Sequence, residues 1–348
     1  MGSPSSTGPD HAGAGLLTRI LACGFVNFDI IAAGLRRLPG PGEVVHAPNG
    51  VRFRMGGHTA NVSVDLLQLG APEGSVAIAA AVGSDIAGKF IEDFLVSKKV
   101  ECHLQRVESA DTGRSIVLVQ EGRDRCFILN AGANTHLSFD HVRAALDEVS
   151  PGVLYLACGI LGAFDSRIGE LLKVCRSRGI ATVLDAVEPE GREWGFIKAA
   201  LPYTDVMHSN RQELEGVSGT SDARLGLQWL ADEGVTLPIL TDGPEGAQSL
   251  FRGRLIRQPA FKVGVIDPTG AGDAFSAGAA LSLAGLRGSG RALTDLDEEE
   301  VSEILLSSQA AGAACVEEIG TTPGVTAKRV AELLAVQGEG IRMTTSIA

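Results

Sequence analysis

The sequence predicts an α/β protein in which a mostly parallel sheet is covered by helices, and two observations carry that prediction. From Val153 onward, short β-forming runs alternate with longer amphipathic ones, the spacing that strand, helix and parallel strand require. Further on, the turn Asp267-Pro268-Thr269-Gly270-Ala271-Gly272-Asp273-Ala274-Phe275 joins a strand-like run, Phe261 to Ile266, to an apolar, small-residue run, Ala274 to Leu286, that reads as a helix.

Met1 to Gly15 is rich in Gly, Ser, Pro and Ala and lacks a basic stretch followed by an apolar core, so it reads as a disordered tail, not a secretory leader. Arg19 to Gly24 is the first strand, followed by a helix near Thr59 to Leu69, a strand at Ser75 to Val82 and a helix near Asp85 to Val96. Two segments break the rhythm. Leu35 to Phe53 is punctuated by Pro and Gly between short β-like pieces, and Ser115 to Gln120 with Cys126 to Asn130 reads as a hairpin turning at Gly122-Arg123-Asp124. In the second half, Val153 to Cys158, Ile180 to Asp185, Asp205 to Ser209 and Leu237 to Thr241 are strands, with helices at Ser166 to Ser177, Arg211 to Val217 and Ala223 to Glu233. The expected organisation is one domain over residues 19–336, with tails at 1–18 and 337–348.

A chain of 348 residues, 45% apolar, is long enough to bury a substantial core. Its apolar runs are of strand length, not membrane length. With 42 acidic and 30 basic residues the net charge is −12, which argues against nucleic acid or an anionic membrane as partner. The six cysteines, Cys23, Cys102, Cys126, Cys158, Cys175 and Cys315, are scattered without CxxC or metal-ligand spacing, so they read as free thiols in a reducing cytoplasm.

The nine-residue turn carries the chemistry. Helix-end N–H groups have no internal partner, and glycines let backbone approach a phosphate, so the turn is an anion site. Asp273 lies within it, and a carboxylate beside an anion hole points to phosphoryl transfer onto a hydroxyl, with the carboxylate taking the proton. The plainer reading of Asp273 is a helix cap. His58, His136 and His208 are dispersed without triad or metal spacing and read as surface or hydrogen-bonded structural residues.

Together with Gly56-Gly57-His58-Thr59-Ala60-Asn61, this turn resembles the paired signatures of the ribokinase-like (PfkB) carbohydrate kinases, and the resemblance runs from about Arg19 to about Leu334. It implies a ribokinase-like three-layer α/β/α sandwich, with a small β-sheet lid formed from about 35–54 and 112–131. It also implies an anion hole from Gly270, Ala271 and Gly272 with Asp273 as base. Acceptor hydroxyls would be held by Asn27, Asp29 and Asn61, with Gly56 and Gly57 allowing close approach and Asn134 of the Gly-Ala-Asn element nearby. Nucleotide and hydrated Mg²⁺ fall to Asn210 and Glu213, which also match a helix capping box, and to Thr241, Gly243 and Gly246. Adenine is expected between Val263 and the helix around Gln309. Asp267 and Thr269 suit a monovalent cation such as K⁺, although Glu318 stands where a basic residue is common and Gly324 where a hydroxyl ligand is expected. Asp85, in the element containing Gly83 and Gly88, is as well explained as a cap.

The expected activity is ATP- and Mg²⁺-dependent phosphorylation of a sugar, sugar acid or related polyol. A nucleoside kinase is the alternative within the class; two Trp and two Tyr offer few stacking platforms, though Phe25, Phe28 and Phe53 lie near the pocket. A non-catalytic sensor of sugar or nucleotide is the alternative outside it, against which the retained Asp273 and glycine loop speak. Expected partners are the small-molecule acceptor and, as an option, a second copy of the chain.

Overall fold

A computed structural model describes residues 17–120, 126–189, 191 and 193–348. In chain order the first half contains β1 (Ile20–Gly24), β2 (Asn27–Leu35), β3 (Val51–Gly56), α1 (His58–Gln68), β4 (Val76–Gly83), α2 (Ile86–Ser97), β5 (Glu101–Val107), β6 (Arg114–Gln120), β7 (Cys126–Asn130) and α3 (Phe139–Val149). The second half contains β8 (Val153–Cys158), α4 (Ile168–Ser177), β9 (Ala181–Ala186), β10 (Val206–Asn210), α5 (Arg211–Ser218), α6 (Ala223–Asp232), β11 (Leu237–Thr241), β12 (Ala247–Phe251), β13 (Arg254–Gln258), α7 (Ala271–Gly288), α8 (Glu298–Cys315), α9 (Ala327–Thr344) and β14 (Ser346–Ile347).

Ten strands form the main sheet in the order β14-β13-β12-β11-β10-β9-β8-β1-β4-β5. The seven from β11 to β5 are parallel, and the last three at the other edge are antiparallel. β1, β4 and β8 are buried along their whole length, as continuous apolar strands covered on both faces must be. Helices α1, α7 and α8 pack in a row, with α7 over β8, β9 and β10. That stacking places the N-termini of α1 and α7 side by side. No helix among the described residues is long and apolar enough to cross a membrane.

A second, four-stranded sheet has the order β3-β2-β6-β7. It is mixed: β2 pairs parallel with β6, and β3 and β7 pair antiparallel at the edges. The lid therefore begins at Asn27, not at residue 35, and much of 36–50 is a turn-rich connection between β2 and β3. The expected turn at Gly122-Arg123-Asp124 lies outside the described residues, as does nearly all of the 1–18 tail.

Three further expectations need correction. Phe261 to Ile266 is extended but belongs to no sheet. The sheet edge beside it is already closed by β13 and β14, and only Ile266 and Asp267 donate to the Val316 carbonyl. Phe261 is instead anchored against Leu306, Ala310 and Leu333. The hairpin β12–β13 falls where no element was expected. Residues 337–348 are not a tail, because α9 continues to Thr344 and β14 then pairs with Ile256 and Arg257.

Candidate active site

Two helix starts meet beyond the C-terminal ends of the parallel strands, where open α/β sheets bind ligands. Gly270 caps α7 with φ 83°, and a Cβ there would stand 2.6 Å from the Thr321 carbonyl, so conformation and space both demand glycine. The first helical bond runs from the Ala274 N–H to the Gly270 carbonyl at 2.8 Å, which leaves the amides of Gly272 and Asp273 at the open helix end. Gly57 caps α1 at φ 89°, and a Cβ on Gly56 would lie 1.9 Å from Asp29 Oδ2. The glycine pair thus lets the β3–α1 corner press onto Asp29 and onto the backbone of residues 25–27.

Asp273, in the first turn of α7, is buried. Asn61 Nδ2 donates to its Oδ2 at 2.7 Å, and Thr321 Oγ1 donates to Asn61 Oδ1 at 2.9 Å, which fixes the amide so that its nitrogen must face the carboxylate. Asp273 Oδ1 lies 3.0 Å from His58 Nδ1 in an ion-pair contact without hydrogen-bond alignment, and both atoms are buried with no hydrogen-bond partner. Burial alone would lower the His58 pKa. Asp273, with Asp185 and Glu213 farther off, outweighs it and raises the imidazole to about 9, so the ring is cationic at neutral pH.

Beneath this pair lies Asp185, at the end of β9. It accepts from Tyr155 Oη at 2.8 Å and meets His208 Nδ1 at 3.1 Å. Burial pushes the Asp185 carboxyl up, but His208 pulls it below the usual range; the Asp185 charge in turn holds His208 above its ordinary value against burial. His208 also contacts Thr241 Oγ1 at 2.9 Å and Ser276 Oγ at 3.1 Å, and it stacks on Phe275. One donor atom each from His58, Asp185 and Asp273 fall within 4.8 Å of one another. The expectation for His58 is therefore corrected: it sits at the centre, while His136 stays exposed.

On the lid side, Asn27 is buried at the start of β2, and Asp29 accepts from Ser115 Oγ at 2.6 Å. Burial raises the Asp29 pKa to about 6, against the lowering effect of Ser115 and with a further push from Asp273. Asn134, expected near the acceptor, is spent on the protein instead. Its Oδ1 accepts from Val26 N–H at 3.0 Å and its Nδ2 donates to Val26 O at 2.9 Å, so it clamps the β1–β2 connection and braces Asn27.

At the end of β10, Asn210 and Glu213 form both halves of a capping box on α5, the cap reading that the sequence allowed. Burial holds the Glu213 carboxyl above the usual range, opposed by the Asn210 N–H. Gly243 adopts φ 52°, and Gly246 is glycine because a Cβ would lie 2.1 Å from the Gln258 carbonyl. Val263 packs against the cluster around Phe261, and the buried Gln309 amide donates to Gln258 Oε1 at 2.7 Å. Asp267 accepts from the N–H and hydroxyl of Thr269 and from Gly320 N–H. Asp85 caps α2 through Gly88 N–H and also holds Thr112 and Arg114.

The model of the pfkB family carbohydrate kinases matches residues 17–328. The chain belongs to that family. It is 24% identical over 298 residues to a ribokinase of Haemophilus influenzae, covering 83% of this chain and 89% of that protein. It is 28% identical over 259 residues to a fructokinase of Klebsiella pneumoniae, covering 70% and 80%. The solved structure of Arabidopsis thaliana ribokinase complexed with ribose and ATP superposes with a TM-score of 0.74 at 24% identity, covering 92% of this chain and 99% of that one. The ribokinase-like fold, a main α/β sheet with a small separate lid, is shared with this carbohydrate kinase.

Proposed function

We propose that this carbohydrate kinase transfers the terminal phosphoryl group of ATP to a hydroxyl of a small sugar or polyol held between the lid and Asp273. One observation carries the reading: Asp273 is buried at an open helix N-terminus, oriented through one oxygen by Asn61, with its other oxygen in ion-pair contact with His58 but without a hydrogen-bond partner. Asn27 and Asp29 orient the acceptor. As its oxygen attacks the phosphoryl group, the hydroxyl proton passes to Asp273 Oδ1 and the nucleoside diphosphate leaves. The amides of Gly272 and Asp273 stabilise charge on the transferred group, and the His58 imidazolium adds positive charge beside it.

Mg²⁺, when bound, neutralises charge on the nucleotide phosphates. The all-oxygen donors of Asn210 and Glu213 fit a hard cation held through water while the capping box stays intact. Asp267 and Thr269 offer oxygen donors to a monovalent cation, and activity in potassium against sodium reads that part of the proposal. The exposed Val51, Phe53, Phe127 and Ile128 support pairing of two copies through their lids. The decisive test is an acceptor screen with ATP and Mg²⁺ across pentoses, hexoses, inositols, sugar acids and nucleosides. Acceptor-dependent ADP release from a sugar or polyol is expected. Turnover confined to nucleosides would transfer the reading to a nucleoside kinase, and binding without turnover to a sensor.

A further inference from the structure

A cavity of about 790 Å³ lies against the lid and is lined by residues from all four of its strands. Its wall includes Asp29, Ile31, Val117 and Phe127 of the lid, Phe94 of α2, and the two loops at 266–269 and 319–323. Asp273 does not line it, but Asp29 and the Asp267–Thr269 part of the turn that leads to Asp273 do. Such a volume lies well within the range for small-molecule sites and exceeds what one sugar ring needs.

Its charge is the informative property. The ionisable side chains around the cavity are Asp29, Arg52, Arg54, Lys98 and Asp267. Both carboxylates are already engaged, Asp29 with Ser115 and Asp267 with Thr269 and Gly320. The cations are not. Arg54 donates only to the neighbouring Phe53 carbonyl, Lys98 lies over the Phe94 ring, and none of the three cations has a carboxylate partner among the described residues. The strand register puts Arg54 opposite Asp29 and Arg52 opposite Ile31, so both arginines stand on the lid face that carries Asp29. In a chain of net charge −12, three unpaired cations around one cavity are a local reversal of sign.

We propose that this cavity binds the anionic end of the acceptor, so that the preferred substrate is a sugar derivative bearing a carboxylate or phosphate group, with Arg52 and Arg54 as its specificity residues. This rests on the reading that Asp29 and Asp273 hold the acceptor's hydroxyls. Arginine presents a planar fork matched to carboxylate and phosphate oxygens, and Lys98 supplies a further point charge. Edge strands also carry charge simply to resist pairing with other sheets, and that role makes no demand on substrate choice.

The test compares kcat/KM for fructose, fructose 6-phosphate and gluconate, in the wild-type enzyme and in Arg52→Gln, Arg54→Gln and the two Arg→Lys variants. The expected result is a preference of about tenfold or more for an anionic acceptor, equivalent to one good charge-assisted contact. That ratio should collapse toward one in the Gln variants and recover in part with Lys. The gluconate and phosphate ester arms show which anion is read. A neutral sugar used as well as both anions, or a ratio unchanged by the substitutions, would overturn the proposal and leave the arginines as edge charges. Should none of the three be phosphorylated, the failure belongs to the kinase reading, and calorimetric titration of the same acceptors still reports whether the anions bind more tightly and whether Arg52 and Arg54 are responsible.

Discussion

At the junction of α1 and α7, Asp273, Asn61, Asp185 and His208 are all buried, and each meets a fixed partner from another element. In the lid, by contrast, every residue of β7 is exposed, and Phe53, Phe127, Ile128 and Leu129 present apolar surface to solvent. The difference teaches a division of labour. Groups that must meet a developing charge are held by networks that leave little room for reorganisation. The lid is held by its own ladders and, at its inner end, by α2, where Phe28 meets Phe90 edge-on and Arg114 pairs with Asp85, while its outer strand β7 stays exposed.

The sharpest way to break this comparison is at the floor. Asp273→Asn keeps the shape of the side chain, so folding and sugar binding should persist while kcat falls by about two or more orders of magnitude. Thermal melting and steady-state kinetics on one preparation check it; a small kcat change would remove Asp273 from the role of base.

Asp29 sits where the two regions join, and it should show both characters. Its folded pKa, about 6, is above the ordinary 3.8, so the native state binds the proton more tightly than the unfolded chain does. The stability cost of ionising it is absent below about pH 3.8 and is fully felt above about pH 6. Asp29→Asn should therefore raise the melting temperature at pH 7 by a few degrees, corresponding to about 1 kcal/mol, with the gap from wild type closing as pH falls through that window. The same variant should weaken acceptor binding by about tenfold, because it replaces a charged hydroxyl ligand with a neutral one, and should leave nucleotide binding nearly intact. Melting curves between pH 4 and 7 with calorimetric titrations of each ligand test both halves. Lost ATP affinity with retained acceptor affinity would show that the two ends of the site are reversed.

The smallest expected effect belongs to the lid. Amide exchange over Ser115 to Asn130 should slow when a saturating acceptor is added, whereas exchange in β1 and β8 should not change. Equal exchange with and without acceptor would make the lid a fixed wall.

Local chemistry made much of this legible from the chain. The alternation of strands and helices from β8 to β11 follows from hydrophobic period. The glycines at 56, 57 and 270 could be read as places of close backbone approach, although what approaches them, Asp29 and the Thr321 carbonyl, could not. Asp85 and Asn210 carry cap signatures that need only three residues to be recognised.

What escaped that reading is long-range. Asn61 and Asp273 are 212 positions apart, and no periodicity links them; the family's paired signatures did. His58 reads as an isolated histidine until packing of α1 against α7 sets it beside Asp273, and His208 until β9 and β10 set it beside Asp185. Asn134 looks like a ligand in its glycine-containing element, but the β1–β2 connection claims its whole amide. The lid's central pair, β2 with β6, is parallel and closes over a long separation, so only β6 with β7 announces itself as a hairpin. β14 becomes a strand only because β13 offers it an edge. The sequence alone determined most of the helices and parallel strands and the reactive turn, since these depend on near neighbours; the added edge strands, the partners, the charge states and the cations left unpaired among the described residues of the cavity depend on which distant surfaces meet, and tertiary packing decided them.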